Sequence, residues 1–421
     1  MTVAPATRST MAACAATLVA VLLAVAACVG SQGCAGATVV PAPAGKGDLE
    51  AYATDAAVRR AALEASFVNP DNGYARLRLA KYTETGWGAL PEWNPQAAPF
   101  RVPELGSQTP AAGASFAALD LDAVPWTDAA LEELGRRAFF EYPMQLAAYL
   151  RSALSDAVAP KTYGVHVDGE RVGHIAWARL PGGSAEVAYT CATCHASVVG
   201  GRVVPGRNEP DLAVAAMIRK ASAGVGEQPL WGPGRVDVTT DDAENPVAIT
   251  DLRPILFQKN LHHAATLRNG RVALAIRIET LIITSMGESV RPPRKLAAAL
   301  AVYLRSLAPR GPLPGPSDPG AAVFARVCGG CHGGEGLAGE AVDLAVVGTD
   351  PAVGLSSERT TGRYRVPSLR GVGDRHRLFA SGDVEDVDEL LRPGRAAKGH
   401  QFGLDLSAAD RQALLSYLHA L

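Results

Sequence analysis

Cys-x-x-Cys-His occurs twice in this chain, as Cys191-Ala-Thr-Cys194-His195 and as Cys328-Gly-Gly-Cys331-His332. Two thiols at that spacing can each form a thioether to one porphyrin. The imidazole that follows is then held beneath the iron as its proximal ligand. The motif therefore predicts two covalently bound haem c groups, with His195 and His332 on the irons. Two other readings explain less. A pair of CxxC motifs can hold one zinc, but zinc ribbons are compact and these motifs lie far apart. A thioredoxin-like pair needs a βαβ context that is missing here, and it leaves the histidines without a role.

The N-terminus says where such a chain is taken. Met11 to Ala27 is mostly Ala, Leu and Val and carries no charge, which reads as the h-region of a signal peptide over residues 1–27. It is too short and alanine-rich for a membrane-spanning helix. Val25-Ala26-Ala27-Cys28 resembles a bacterial lipobox, so Cys28 is the expected lipidation site, with ordinary signal cleavage as the alternative. Of seven cysteines, Cys14 leaves with the signal, Cys28 takes lipid, four take haem and Cys34 is unassigned. The expected location is the periplasm or cell envelope, with the membrane reached through the lipid anchor. A net charge of −2 over 421 residues excludes a nucleic-acid footprint.

Residues 28–47 read as a flexible tether of Gly, Ala and Pro. Asp48 to Ala65 is helical in pattern, and the rest of 48–125 reads as an irregular segment. Its Tyr74, Tyr82, Trp87, Trp93 and Phe100 are packing residues with no chemistry assigned.

Beyond that point the chain repeats. Gly135-x-x-x-Phe139 precedes the first motif and Gly320-x-x-x-Phe324 the second. Each pair places a missing side chain and an aromatic on one helical face, where a second helix can cross closely. The crossing helices are Leu296 to Leu307, opened by Pro292 and Pro293, and Leu414 to Leu421, capped by Ser407 with Asp410. Both contain Tyr-Leu-x-x-Leu, at 303–307 and 417–421. An opening Gly-x-x-x-Phe helix, CxxCH and a closing Tyr-Leu helix resemble class I cytochrome c folds.

The expected fold class is thus mainly α: two tandem cytochrome c-like domains at 126–308 and 320–421. A proline-rich linker at 309–319 would fix their spacing. The first domain carries an insertion at 140–190, read as a helix around Met144 to Leu154 followed by a β-hairpin. The hairpin joins Tyr163–Val167 to His174–Trp177 across Asp168-Gly169.

The middles of the halves also correspond. Ile249-Thr-Asp-Leu252 aligns with Val366-Pro-Ser-Leu369, and Leu261 then falls with Leu378. Here the chain resembles the bacterial di-haem cytochrome c peroxidase and MauG-like superfamily. That family carries Pro-Ser/Thr-Leu-Arg-x-Val, then a His-Asp-Gly-Ser turn, then a closing helix beginning Leu-Ser. The turn reads Ala380-Ser381-Gly382-Asp383 here and lacks its histidine. Arg363, Arg365 and Arg370 cluster in this segment. Arg370, which the resemblance covers, is the one expected to pair with a haem propionate.

A sixth iron ligand is usually Met or His. Met286 stands just before the first closing helix, with His262 or His263 as alternatives; Met144 and Met217 read as helix-face core residues. No Met follows Cys331, and His400 occupies the place corresponding to Met286, with His376 as the other candidate. An exposed His400, leaving the iron open, is the bland alternative.

Two functions fit. In the first, the protein carries single electrons between redox partners, a donor and an acceptor. In the second, it is a peroxidase that reduces hydrogen peroxide at a haem with an open site, and it needs an acid or base such as Glu279 or Glu288 nearby. Electron transfer is favoured, since both irons have a sixth-ligand candidate.

Overall fold

The computed structural model describes residues 47–222, 229–238 and 243–421. The expected signal peptide, the lipidation site Cys28 and all of the tether but Gly47 lie outside the described residues. Among the described residues, no helix is long and apolar enough to cross a membrane.

The expected first helix is two: α1 (Asp48–Thr54) and α2 (Ala56–Ser66). The break has a local cause. Asp55 turns its carboxylate onto the backbone N–H groups of Ala57 and Val58, at 2.8 and 3.2 Å, and so caps a new helix rather than continuing the old one. Asn72 caps α3 (Gly73–Lys81) in the same way, accepting from Ala75 N at 2.8 Å.

The aromatic strap is packing, as its composition implies. Tyr74, Tyr82, Trp87 and Trp93 are buried in the largest apolar cluster, with Leu131, Leu274 and Leu300. A polar knot fixes it. Glu279 is fully buried in α6 (Arg271–Ser285), where its carboxylate accepts from Tyr52 Oη at 2.7 Å, from Tyr82 Oη and from Arg294 Nε at 3.2 Å. Each partner supplies a donor that burial would otherwise leave unsatisfied.

Two helix crossings frame the rest. In α4 (Asp128–Glu141), Gly135 lies against α7 (Arg294–Ser306). A Cβ there would stand 2.1 Å from Ala299 O and 2.7 Å from Tyr303 Cβ. In α8 (Pro319–Val327), Gly320 meets α9 (Ala408–His419) in the same manner, 2.3 Å from Ala413 O and 2.4 Å from Tyr417 Cβ. One turn along each crossing the aromatics meet, Phe139 with Tyr303 at 5.4 Å and Phe324 with Tyr417 at 5.1 Å between centroids.

The inserted segment before the first motif builds more than a hairpin, and it recruits a strand from ahead of α4. Strands β1 (Ala97–Arg101), β2 (Gln145–Leu146), β3 (Val167–Asp168), β4 (Arg171–Arg179) and β5 (Ala185–Tyr189) form one antiparallel sheet. Its order is β1-β4-β5-β2, with β3 on β4. β1 comes from the segment expected to be irregular, and Pro99 is tolerated there because the strand is an edge. Trp177 and Ile175 of β4 face a second core with Phe100, Leu150 and Leu212. The helix expected from Met144 is shorter, Tyr149–Ala153, because Gln145 and Leu146 pair with β5 instead.

The halves are joined by side chains. Arg253 bridges Asp251 and Asp374, at 2.5 and 2.7 Å, and Arg207 Nη2 donates to Asp374 O at 2.8 Å. α3 is tied to the far half as well, with Gly73 N and Tyr74 N donating to Ser357 O and Glu358 O.

Candidate functional site

The first motif is a short helix of its own, α5 (Cys191–His195), opened by a capping box between Thr190 and Thr193. One helical turn brings both thiols and the imidazole to the same side. His195 Nδ1 lies 2.9 Å from Thr250 O. A carbonyl only accepts, so Nδ1 carries the proton and Nε2 keeps a lone pair for a metal. Burial holds the ring neutral, its pKa lowered to about 4, and pushes both thiols up to about 12.

The second motif continues from α8, with Cys328 N and His332 N bonded back to Phe324 O and Cys328 O. His332 Nδ1 lies 3.0 Å from Pro367 O, which fixes the same tautomer. Burial lowers its pKa too. Thr250 and Pro367 stand two residues before Leu252 and Leu369, the positions that align the halves. The two imidazoles are therefore oriented by equivalent backbone carbonyls.

Cys328, Cys331 and His332 line a cavity of 360 Å³. His400 lines it as well, between the rings of Phe379 and Phe402 at 5.9 and 5.2 Å. Its backbone sits at φ +44°, a strained value for a non-glycine residue, held by Val347 O on His400 N and by Arg395 Nη2 on His400 O. Its Nδ1 is buried without a partner. Burial first, then the nearby His332, lowers its pKa to about 4, so the ring is a neutral donor facing the motif. Part of the wall comes from the other half, with Thr250, Asp251 and His263 among its residues. Thr250 thus holds His195 on one side and lines the second cavity on the other.

Several expected residues fall elsewhere. Arg370 does not face the cavity. Its Nε and Nη1 donate to Glu335 O and Gly311 O, both at 2.9 Å, and its guanidinium covers Phe257. It ties down the proline-rich linker, and Arg365 is the member of that arginine cluster on the cavity wall. His262 has both ring nitrogens engaged by the guanidinium groups of Arg277 and Arg359, leaving none for an iron. His263 lies on the second cavity, its Nε2 at 3.1 Å from both Thr250 Oγ1 and Ala248 O. Met286 ends α6 and packs half-buried on the main core.

Met144, expected on a helix, is in a loop with its sulfur 3.8 Å from Cys191 Sγ. Only the pairing of its neighbours with β5 puts it there, a long-range signal that local pattern does not carry. Glu279 and Glu288 are engaged away from both motifs, Glu279 in its tyrosine knot and Glu288 with Lys81 and Trp87 Nε1. His376 borders the cavity but pairs with Glu385 at 3.2 Å.

At the second motif the donor set suits a c-type haem: paired thiols, a neutral imidazole with Nε2 free, and an apolar cavity beside them; the first motif presents the same thiols and imidazole. No curated protein matches the chain. Among solved structures, Kuenenia stuttgartiensis hydrazine synthase, pressurised with 20 bar xenon, is similar at 14% identity over 79% of this chain and 95% of that one, with a TM-score of 0.38. A likeness that loose carries no argument. Residues 317–421 match the family Cytochrome c, whereas the first motif lies outside the match. Residues 317–421 are thus a cytochrome c domain, and electron transfer by covalently held haem c is what such a domain does.

Proposed function

We propose that the chain is an exported di-haem cytochrome, with tandem cytochrome c-like domains around Cys191–His195 and Cys328–His332, that passes electrons between a donor and an acceptor protein. The observation that carries this is the equivalence of the two motifs. Both histidines donate Nδ1–H to a carbonyl at the same aligned position, and both motifs stand beside a glycine-aromatic helix crossing.

Haem, when bound, supplies the one-electron chemistry at iron. The protein's part is to fix its surroundings. Thr250 O and Pro367 O set the tautomer and plane of the proximal rings. At the second site His332 and His400 would hold the iron. At the first site Met286 would join His195, with Met144 as the competing sulfur because of its place beside Cys191. Ligands held this way reorganise little between oxidation states. Thr250, shared by both sites, supports rapid exchange between them. Lipidation of Cys28 and an envelope location follow from the N-terminal sequence, and Cys28 would tether the carrier near its membrane partner.

A peroxidase of the di-haem type is the second reading. The strained backbone at His400 and its unpartnered Nδ1 favour it, since a ligand held under strain is one that can leave.

Optical and EPR spectra of the purified protein, oxidised and half-reduced, with and without hydrogen peroxide, separate the two. An electron carrier keeps both haems low-spin and does not consume peroxide. A high-spin haem on half-reduction, with peroxide turnover, replaces the first reading by the second. Loss of a methionine-to-iron charge-transfer band in Met286→Ala or in Met144→Ala identifies the first site's sulfur.

A further inference from the structure

Four arginines reach the second cavity: Arg326, Arg365, Arg375 and Arg377. Three of them have carboxylates to answer their charge. Arg326 pairs with Asp410 at 3.0 Å, Arg377 with Glu385 at 3.1 Å, and Arg375 lies 3.7 Å from Asp251 while donating to Ser368 O and Arg370 O. Arg365 is different. Its Nη1 donates to the neutral Gln258 Oε1 at 2.9 Å, and among the described residues no carboxylate lies within ion-pair distance of it. It is half-buried, and it keeps that surface on a cavity wall rather than on the outside of the protein. Desolvation, with the like charge of Arg375, lowers its pKa to about 10 against the weaker pull of Asp251. A guanidinium at that value is still charged at neutral pH, and a half-buried charge without an ion-pair partner is costly.

A haem brings two carboxylates into the cavity that Arg365 lines, and a guanidinium is shaped to grip a carboxylate with two parallel N–H groups. We propose that Arg365 pairs with a carboxylate of the second haem and raises that haem's midpoint potential. The inference rests on reading this cavity as a haem site. The sign follows from charge alone. Iron gains an electron on reduction, so a fixed cation nearby favours the reduced form, and less water in the cavity makes the effect larger. Two anchors, one on the guanidinium and one on the backbone, keep the residue in place. Gln258 holds one end, and Arg365 N donates to His263 O at 2.9 Å, which joins it to the wall shared with the first motif.

The test is spectroelectrochemical titration of the holoprotein carrying Arg365→Gln, Arg365→Met or Arg365→Lys, with Arg370→Gln as the comparison. Haem per chain is counted in each. Both neutral variants should shift the second haem's equilibrium toward the oxidised form by on the order of tenfold, and lysine should restore most of it. Arg370→Gln should leave it in place, because that guanidinium serves the linker. Neutral variants with the wild-type potential and full haem content overturn the proposal, as does a lysine variant that falls as far as glutamine. A wild-type protein without haem at Cys328 and Cys331 overturns instead the reading on which the proposal rests.

Discussion

Replacing Gly135 by alanine tests the architecture at its tightest point. The new Cβ would sit 2.1 Å from Ala299 O and 2.7 Å from Tyr303 Cβ, and neither a helix carbonyl nor a Cβ can turn aside. The axes of α4 and α7 must therefore part by roughly 1 Å, along a contact that also holds Phe139 against Tyr303. Overpacking of this kind costs about 1–3 kcal/mol, and the loosened crossing adds lost contacts to that. Alanine recovers about 1 kcal/mol of helix propensity. The net expectation is a loss of about 2 kcal/mol for Gly135→Ala. Gly320→Ala should lose at least as much, since Gly320 stands in the first turn of its helix, where alanine recovers less. Gly311→Ala, where nothing lies within 4 Å of the added carbon, should be neutral. Urea unfolding followed by circular dichroism and by haem absorbance measures all three. Gly135→Ala or Gly320→Ala as stable as the wild type would refute the close crossing and the repeat built on it.

Three further outcomes are expected. Glu279→Ala leaves two tyrosine hydroxyls and Arg294 without their buried acceptor and should cost about 3–5 kcal/mol in urea unfolding; a loss under 1 kcal/mol would contradict the knot. His174 is buried with both ring nitrogens unpartnered, and burial, then the charges of His166 and Arg171, lower its pKa from 6.5 to about 4 against the pull of Asp168. The unfolded chain binds that proton more readily, so stability present above pH 6.5 should fall as pH drops toward 4, by roughly 3 kcal/mol; His174→Leu should flatten that slope, and an unchanged slope would assign it to other groups. His400→Ala should turn the second haem high-spin in optical spectra, with added imidazole restoring the low-spin form; a spectrum that does not move would remove His400 from the iron.

Much of this arrangement was legible in the sequence, and the rest was hidden for physical reasons. Gly135, Phe139 and Tyr303, with their counterparts Gly320, Phe324 and Tyr417, could be read because a helical face repeats every three to four residues. CxxCH could be read because thioether chemistry fixes its spacing. Thr250 and Pro367 could be aligned, but their carbonyls orient the imidazoles, and a backbone atom leaves no mark on residue type. β1 is not legible locally, because an edge strand containing Pro99 takes its pairing from β4, far along the chain. Asp55 does not announce itself as a cap, because a helix cap and a surface acid look alike until the chain turns. Arg365 and Arg370 differ by five positions and not at all in chemistry, so only the cavity wall distinguishes them.

The central claim is that both motifs carry haem, and intact-mass spectrometry of the purified chain tests it most directly. The account predicts a mass two haems above that of the polypeptide. Cys191→Ala/Cys194→Ala and Cys328→Ala/Cys331→Ala should each lose one haem and keep the other. A wild-type mass one haem above the polypeptide, unchanged by the substitutions at Cys191 and Cys194, would contradict it and leave haem at the second motif alone.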